Sequence, residues 1–91
     1  MSNELSPGTI ETAVLATLEK RADGASICPS EVARALFPDD ETRWRAVMPQ
    51  VRAVAAAMAR SGRLRISRHG VTLSPDQLGD GPIRLHRGKA P

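Results

Sequence analysis

Three stretches with apolar residues at helical spacing, followed by one alternating basic stretch, predict a small α+β domain. Their order is helix, short strand, helix, turn, helix, basic hairpin, which is the order of a winged helix-turn-helix. The second observation is that one hairpin register places all the apolar residues of the alternating stretch on a single face. The third is charge. Residues 1–42 carry three basic and eight acidic side chains, whereas residues 43–91 carry ten basic and two acidic. A chain of 91 residues allows one domain, and a core drawn mainly from its first three quarters gives modest stability.

Met1 to Leu5 is expected to be a loose tail. Ser6 and Pro7 open the first helix, Ser as N-cap and Pro at the first helical position. Ile10, Val14, Leu15 and Leu18 form its apolar stripe, Glu11 suits its N-terminal end, and Lys20 and Arg21 suit its C-terminal end. Asp23-Gly24 is a turn signal. Ala25 to Cys28 reads as one short strand, able to join the later hairpin as a third. Pro29 starts a second helix, PSEVARALF, with Val32, Leu36 and Phe37 facing inward, and Pro38 ends it.

The stretch from Asp39 to Gly62 organises the rest. Val47, Met48, Val51, Val54, Ala55 and Met58 recur at helical spacing, and Trp44 falls on the same side. Pro49, Gln50, Ala53, Ala56, Ala57 and Arg60 belong to the outward face. One Asp is the expected N-cap. Pro49 in mid-helix would cost about 3 kcal/mol. The stretch is therefore either one long helix or a short turn over Glu41 to Trp44 that runs into a regular helix starting near Arg45 or Ala46, where the proline costs little. Gly62 is a natural stop.

From Arg63 to Leu73 the sequence alternates. A two-residue loop at His69-Gly70 pairs Arg68 with Val71 and Ile66 with Leu73. Leu64, Ile66, Val71 and Leu73 then share the buried face, while Arg63, Arg65 and Ser67 point away. The domain proper is assigned to residues 6–73. Residues 74–91 are assigned to an extended tail, partly docked near 82–85, where Ile83 and Leu85 flank Arg84.

Trp44-Arg45, Met48-Pro49, Val51-Arg52, Gly62-Arg63, Gly70 and Gly81-Pro82-Ile83-Arg84 carry a resemblance to a small bacterial family catalogued only as a domain of unknown function. It extends from about Ile10 to Leu85. The resemblance implies a winged-helix fold and brings no activity or catalytic residue with it.

The basic second half favours an anionic partner, and DNA is the leading one. In a winged helix the central helix enters the major groove and the wing reaches phosphates. Arg45, Arg52 and Arg60 are the helix candidates, and Arg63, Arg65, Arg68 and His69 the wing candidates. Gln50 is the one uncharged amide on the helix suited to a base edge. Against DNA stand Asp39, Asp40 and Glu41, which would repel phosphate where a recognition helix meets the duplex. The alternative is a protein-interaction adaptor that binds no nucleic acid. No phosphate loop, HExxH or nucleophile elbow occurs, so no catalytic residue, enzyme activity or cofactor is expected. One Cys and two separated His offer no zinc pattern. The single Cys28, the absence of a long apolar run and a start without signal-peptide character lead to a cytoplasmic expectation, with no membrane partner.

Overall fold

The structure is a computed structural model that describes residues 5–22 and 24–89. Helix α1 spans Pro7–Glu19, α2 Pro29–Leu36 and α3 Glu41–Arg60. Strands β1 (Leu64–Arg68), β2 (Val71–Thr72) and β3 (Arg84–Arg87) form one antiparallel sheet in the order β2-β1-β3. This is the α+β winged-helix architecture, three helices laid over one face of a small sheet.

Each helix starts for a local reason. The Ser6 hydroxyl accepts the Thr9 amide at 3.2 Å, and Pro7 has no amide to strand at the first turn of α1. Its buried row is Ile10, Val14 and Leu18, one turn apart. Leu15, expected in that stripe, is 40% exposed because it lies a step around the helix from this row. Pro29 opens α2, and Glu31 reaches back to accept the Cys28 amide at 2.6 Å. Val32 and Ala33 are buried, with Leu36 and Phe37 half-buried at the end of the helix. The Asp40 carboxylate caps α3 by accepting the Arg43 amide at 3.1 Å.

Of the two forms open to the sequence, α3 takes the single long helix and runs unbroken from Glu41 through Pro49. Pro49 and Arg45, the residue whose carbonyl loses its helical partner, both lie on the exposed side, where water can satisfy that carbonyl. Trp44, Val47 and Met48 pack inward before the proline, as Val51, Val54 and Met58 do after it. Burial on both sides of Pro49 offsets its cost. A correction concerns Ala56, placed outward by spacing but only 7% exposed. Arg52, Ala56 and Arg60 form one row, and the segment after β2 crosses it, bonded to Arg52 through Gly79 and to Arg60 through Asp76.

Gly62 ends α3 with φ +83°, and the Arg63 amide donates back to the Met58 carbonyl at 2.9 Å. The hairpin register is the predicted one. Arg68 pairs with Val71, and the Leu73 amide donates to the Ile66 carbonyl at 2.8 Å. His69 and Gly70 both have positive φ, as a two-residue loop with the right twist demands. Val71 is on the apolar face but at its tip, beyond the helices, and is 64% exposed.

The third strand is β3, not Ala25–Cys28. Ile66 pairs with Leu85 and Leu64 with Arg87. Ile27 makes only a single bridge, exchanging amide–carbonyl bonds of 2.9 and 2.8 Å with Leu85. Pro29, fixed at the start of α2, leaves room for no more. Ile83 and Leu85 thereby enter the core, at 2% and 0% exposure, beside Ile10, Leu18, Val51, Met58 and Ile66. Gly88 donates to the Arg63 carbonyl and lies so close to the Gly62–Leu64 backbone that a methyl group there would sit 2.6 Å from the Arg63 carbonyl carbon. The expected loose start falls on residues 1–4, outside those described. Leu5 itself is half-buried against the core.

Candidate nucleic-acid interface

The start of α3 is electrostatically balanced by its own acidic turn. Arg45 is exposed and pairs with Glu41 at 3.2 Å, and Arg43 pairs with Asp40 at 3.3 Å. The guanidinium groups of Arg34 and Arg45 lie 4.7 and 4.9 Å from the Trp44 ring centroid, a cation–π arrangement at the edge of the α2–α3 packing. Gln50 is half-buried, and its amide donates to the Leu5 carbonyl at 3.4 Å. That bond turns it toward the beginning of the chain.

Four of the predicted arginines hold the protein to itself. Arg52 donates to the Gly79 carbonyl at 2.8 Å. Arg60 makes two bonds to one Asp76 oxygen, at 3.0 and 2.6 Å. Arg68, expected at an open wing tip, instead folds back over the β2–β3 connection. It donates to the carbonyls of Pro82 at 2.9 Å, Gly81 at 3.1 Å and Leu78. Arg63 pairs with Glu11 of α1 at 2.7 Å. These contacts fasten the connection along α3 and the hairpin to the first helix.

Arg65 belongs to a different setting, the face of the sheet turned away from the helices. Pairing of Arg65 with His86, and of Ser67 with both Thr72 and Arg84, brings these side chains onto that one face. Arg65 donates to the Thr72 hydroxyl at 3.2 Å and approaches His86 Nδ1 at 3.1 Å. His86 Nε2 is 2.7 Å from the Ser67 hydroxyl, and Ser67 is 3% exposed. Arg84 donates to the hydroxyl and the carbonyl of Ser26, both at 2.9 Å. Among the described residues the ion pairs engage Arg21, Arg43, Arg45, Arg60 and Arg63, and neither Arg65 nor Arg84 has a carboxylate partner. Burial, then the Arg65 and Arg84 charges, hold the His86 pKa below the ordinary imidazole value. His69 is exposed at the hairpin tip.

Sequence reasoning includes Arg65 but not Arg84 and His86, because residues 74–91 carry too little apolar pattern to reveal a strand. The alternation of Arg84, Leu85 and His86 was the available signal. It acquires meaning only when β3 is known to lie beside β1.

A separate open groove of about 680 Å³ runs along the first half of α3, lined by Leu5, Phe37, Thr42, Ala46, Val47 and Pro49 among others. Among the described residues no three His, Cys, Asp or Glu side chains gather as a metal ion would need, and no helix is long and apolar enough to cross a membrane. Compared with known families, residues 7–88 match the model described as "Protein of unknown function (DUF3253)". No curated protein matches the chain at a significant level.

Proposed function

The chain belongs to the DUF3253 family, and from that starting point we propose that it is a non-catalytic domain that binds DNA through phosphate contacts on the outer face of its sheet. One observation carries this reading. Arg65 and Arg84 stand on a shared strand surface with His86 and, among the described residues, no carboxylate partner, so phosphate can neutralise them without first breaking an ion pair there. The helix is the weaker half of such an interface, since Asp40 and Glu41 already hold Arg43 and Arg45. Contacts of this kind position a protein on a duplex and read little sequence. A cytoplasmic protein fits the same reading.

The test is fluorescence anisotropy of a labelled duplex at several salt concentrations. Binding is expected in the range of roughly 10⁻⁶ to 10⁻⁴ M at physiological salt, and tighter below it. Changing Arg65 and Arg84 together to Ala should weaken all sequences alike and reduce the salt slope by roughly two units. Changing Gln50 should leave that slope unaltered. Absence of salt-sensitive binding by the parent protein would refute the proposal.

The groove beside Phe37 and Pro49 favours a second reading, an adaptor that takes a protein segment instead of nucleic acid. A domain that ignores DNA at low salt would shift the weight to this surface.

A further inference from the structure

The sheet face has a feature that a plain basic patch lacks, an imidazole wedged between a guanidinium and a hydroxyl. An Arg side chain only donates hydrogen bonds, so Nδ1 of His86 must accept from Arg65. The ring proton of neutral His86 is then on Nε2, donated to Ser67 at 2.7 Å. The Arg65–His86 contact therefore exists only while the ring is neutral. A proton taken from solvent onto Nδ1 would set two donors head to head.

We infer that a phosphate oxygen of bound DNA inserts between Nδ1 of His86 and the Arg65 guanidinium, accepting from both, and that it binds best with the imidazole protonated. This rests on the DNA-binding reading above and specifies its chemistry. The oxyanion replaces one acceptor, the neutral ring, by another that carries charge. Nδ1–H and the guanidinium then converge on it, and Arg84, across from Ser67 on the same face, adds a third positive group. The ring keeps its Nε2–H bond to Ser67 throughout, which fixes its orientation. Among the described residues the charged groups that face His86 are Arg65 from β1 and Arg84 from its own strand. The neighbouring β2 and Ser26 segments contribute Thr72 and Ser26, which do not ionise. Arg87, next along β3, is directed to the Leu18 carbonyl on the other side of the sheet.

Linkage gives the direction. In the protein alone partial burial, and after it the Arg65 and Arg84 charges, disfavour the imidazolium. A phosphate between them offsets the arginine charge and gives the Nδ1 proton an anionic acceptor, so DNA binding and proton uptake favour one another. Affinity should rise as pH falls through the histidine range, by up to about tenfold per pH unit for a single linked proton.

The experiment is anisotropy with a duplex lacking terminal phosphates, from pH 5.5 to 8 at constant ionic strength, on the parent, His86→Gln and His69→Gln. The expected result is tighter binding at low pH in the parent and in His69→Gln, and a flat profile in His86→Gln. Ring-proton NMR of the parent, with and without duplex, measures the same effect without a substitution: the His86 pKa should move up on binding. It decides the matter if His86→Gln folds poorly. A pH-independent affinity, a profile abolished by His69→Gln instead, or an unmoved His86 titration overturns this inference and leaves the DNA-binding reading standing. A parent that binds no DNA at any of these pH values overturns both.

Discussion

Replacing Arg68 by Ala tests whether the wing arginine is a surface charge or a fastening. In the structure its guanidinium donates to three carbonyls of the β2–β3 connection, those of Leu78, Gly81 and Pro82. The chain closes tightly around it: a methyl group on Gly81 would sit 3.1 Å from the Arg68 Nε. Hydrogen bonds to a charged donor contribute about 1.5–3 kcal/mol each. The Pro82 acceptor is exposed and can be rehydrated, whereas the bonds to Leu78 and Gly81 are partly buried. Counting mainly these two, and allowing partial rehydration, the loss is about 2–4 kcal/mol. That is a large share of the roughly 5–15 kcal/mol that holds a domain folded. It corresponds to a fall in Tm of roughly 10–25 °C at this size. Thermal and urea melts followed by circular dichroism measure it, with Arg65→Ala as the comparison. Arg65 is exposed and bonded only to side chains, so its loss should move stability by about 0.5–1 kcal/mol at most. An Arg68→Ala protein that melts within two or three degrees of the parent (well under ~1 kcal/mol) would refute the fastening and return Arg68 to the pool of available surface cations.

Two further outcomes follow from the core and from His86. Val51 is 0% exposed in the middle of α3, so Val51→Asp would bury an unpaired carboxylate. The domain should lose its cooperative melt and its dispersed NMR spectrum, a loss of roughly 4 kcal/mol or more. For His86, whose folded pKa lies below the ordinary value, the unfolded chain binds more protons between the two. Its contribution to stability is therefore complete above the unfolded-state pKa and is lost as pH falls through the folded one. Urea midpoints should decline from pH 7.5 to 5.5 in the parent, and less so in His86→Gln. Equal declines in the two proteins would contradict the assignment.

The features legible in the sequence were those decided within a few residues. Ser6 and Pro7 specify a helix start through bonds three residues long. His69-Gly70 specifies a turn, and the turn fixes the register of Ile66 against Leu73. Pro49 left the start of α3 open because its penalty is local while its compensation, burial of Val47 and Val51 on either side, depends on what α3 packs against. β3 was only half legible. Ile83 and Leu85 suggested docking, but nothing nearby in sequence says that Leu85 lies between Ile66 and Ile27. The arginines were the hardest to read. A guanidinium that will meet solvent and one that will meet a carbonyl look the same in sequence. Arg68 and Arg52 find their acceptors in a connection whose path only the tertiary structure supplies, and Arg84 and His86 join the candidate site by the same path.

The position of β3 also bears on how the chain matures during synthesis. Arg84 bonds to Ser26, 58 residues earlier, and Arg87 to Leu18, 69 residues earlier. A ribosome that has released all three helices and the hairpin has still not delivered Ile83 and Leu85. Until it does, Ile27, Ile66 and their neighbours have no cover along one edge. The nascent domain thus passes through an interval in which most of its residues exist but its apolar interior stays open, the kind of species that chaperones and proteases recognise. A stop codon or frameshift shortly before residue 83 would make that interval permanent. The product would retain every residue of the three helices and yet be a substrate for degradation.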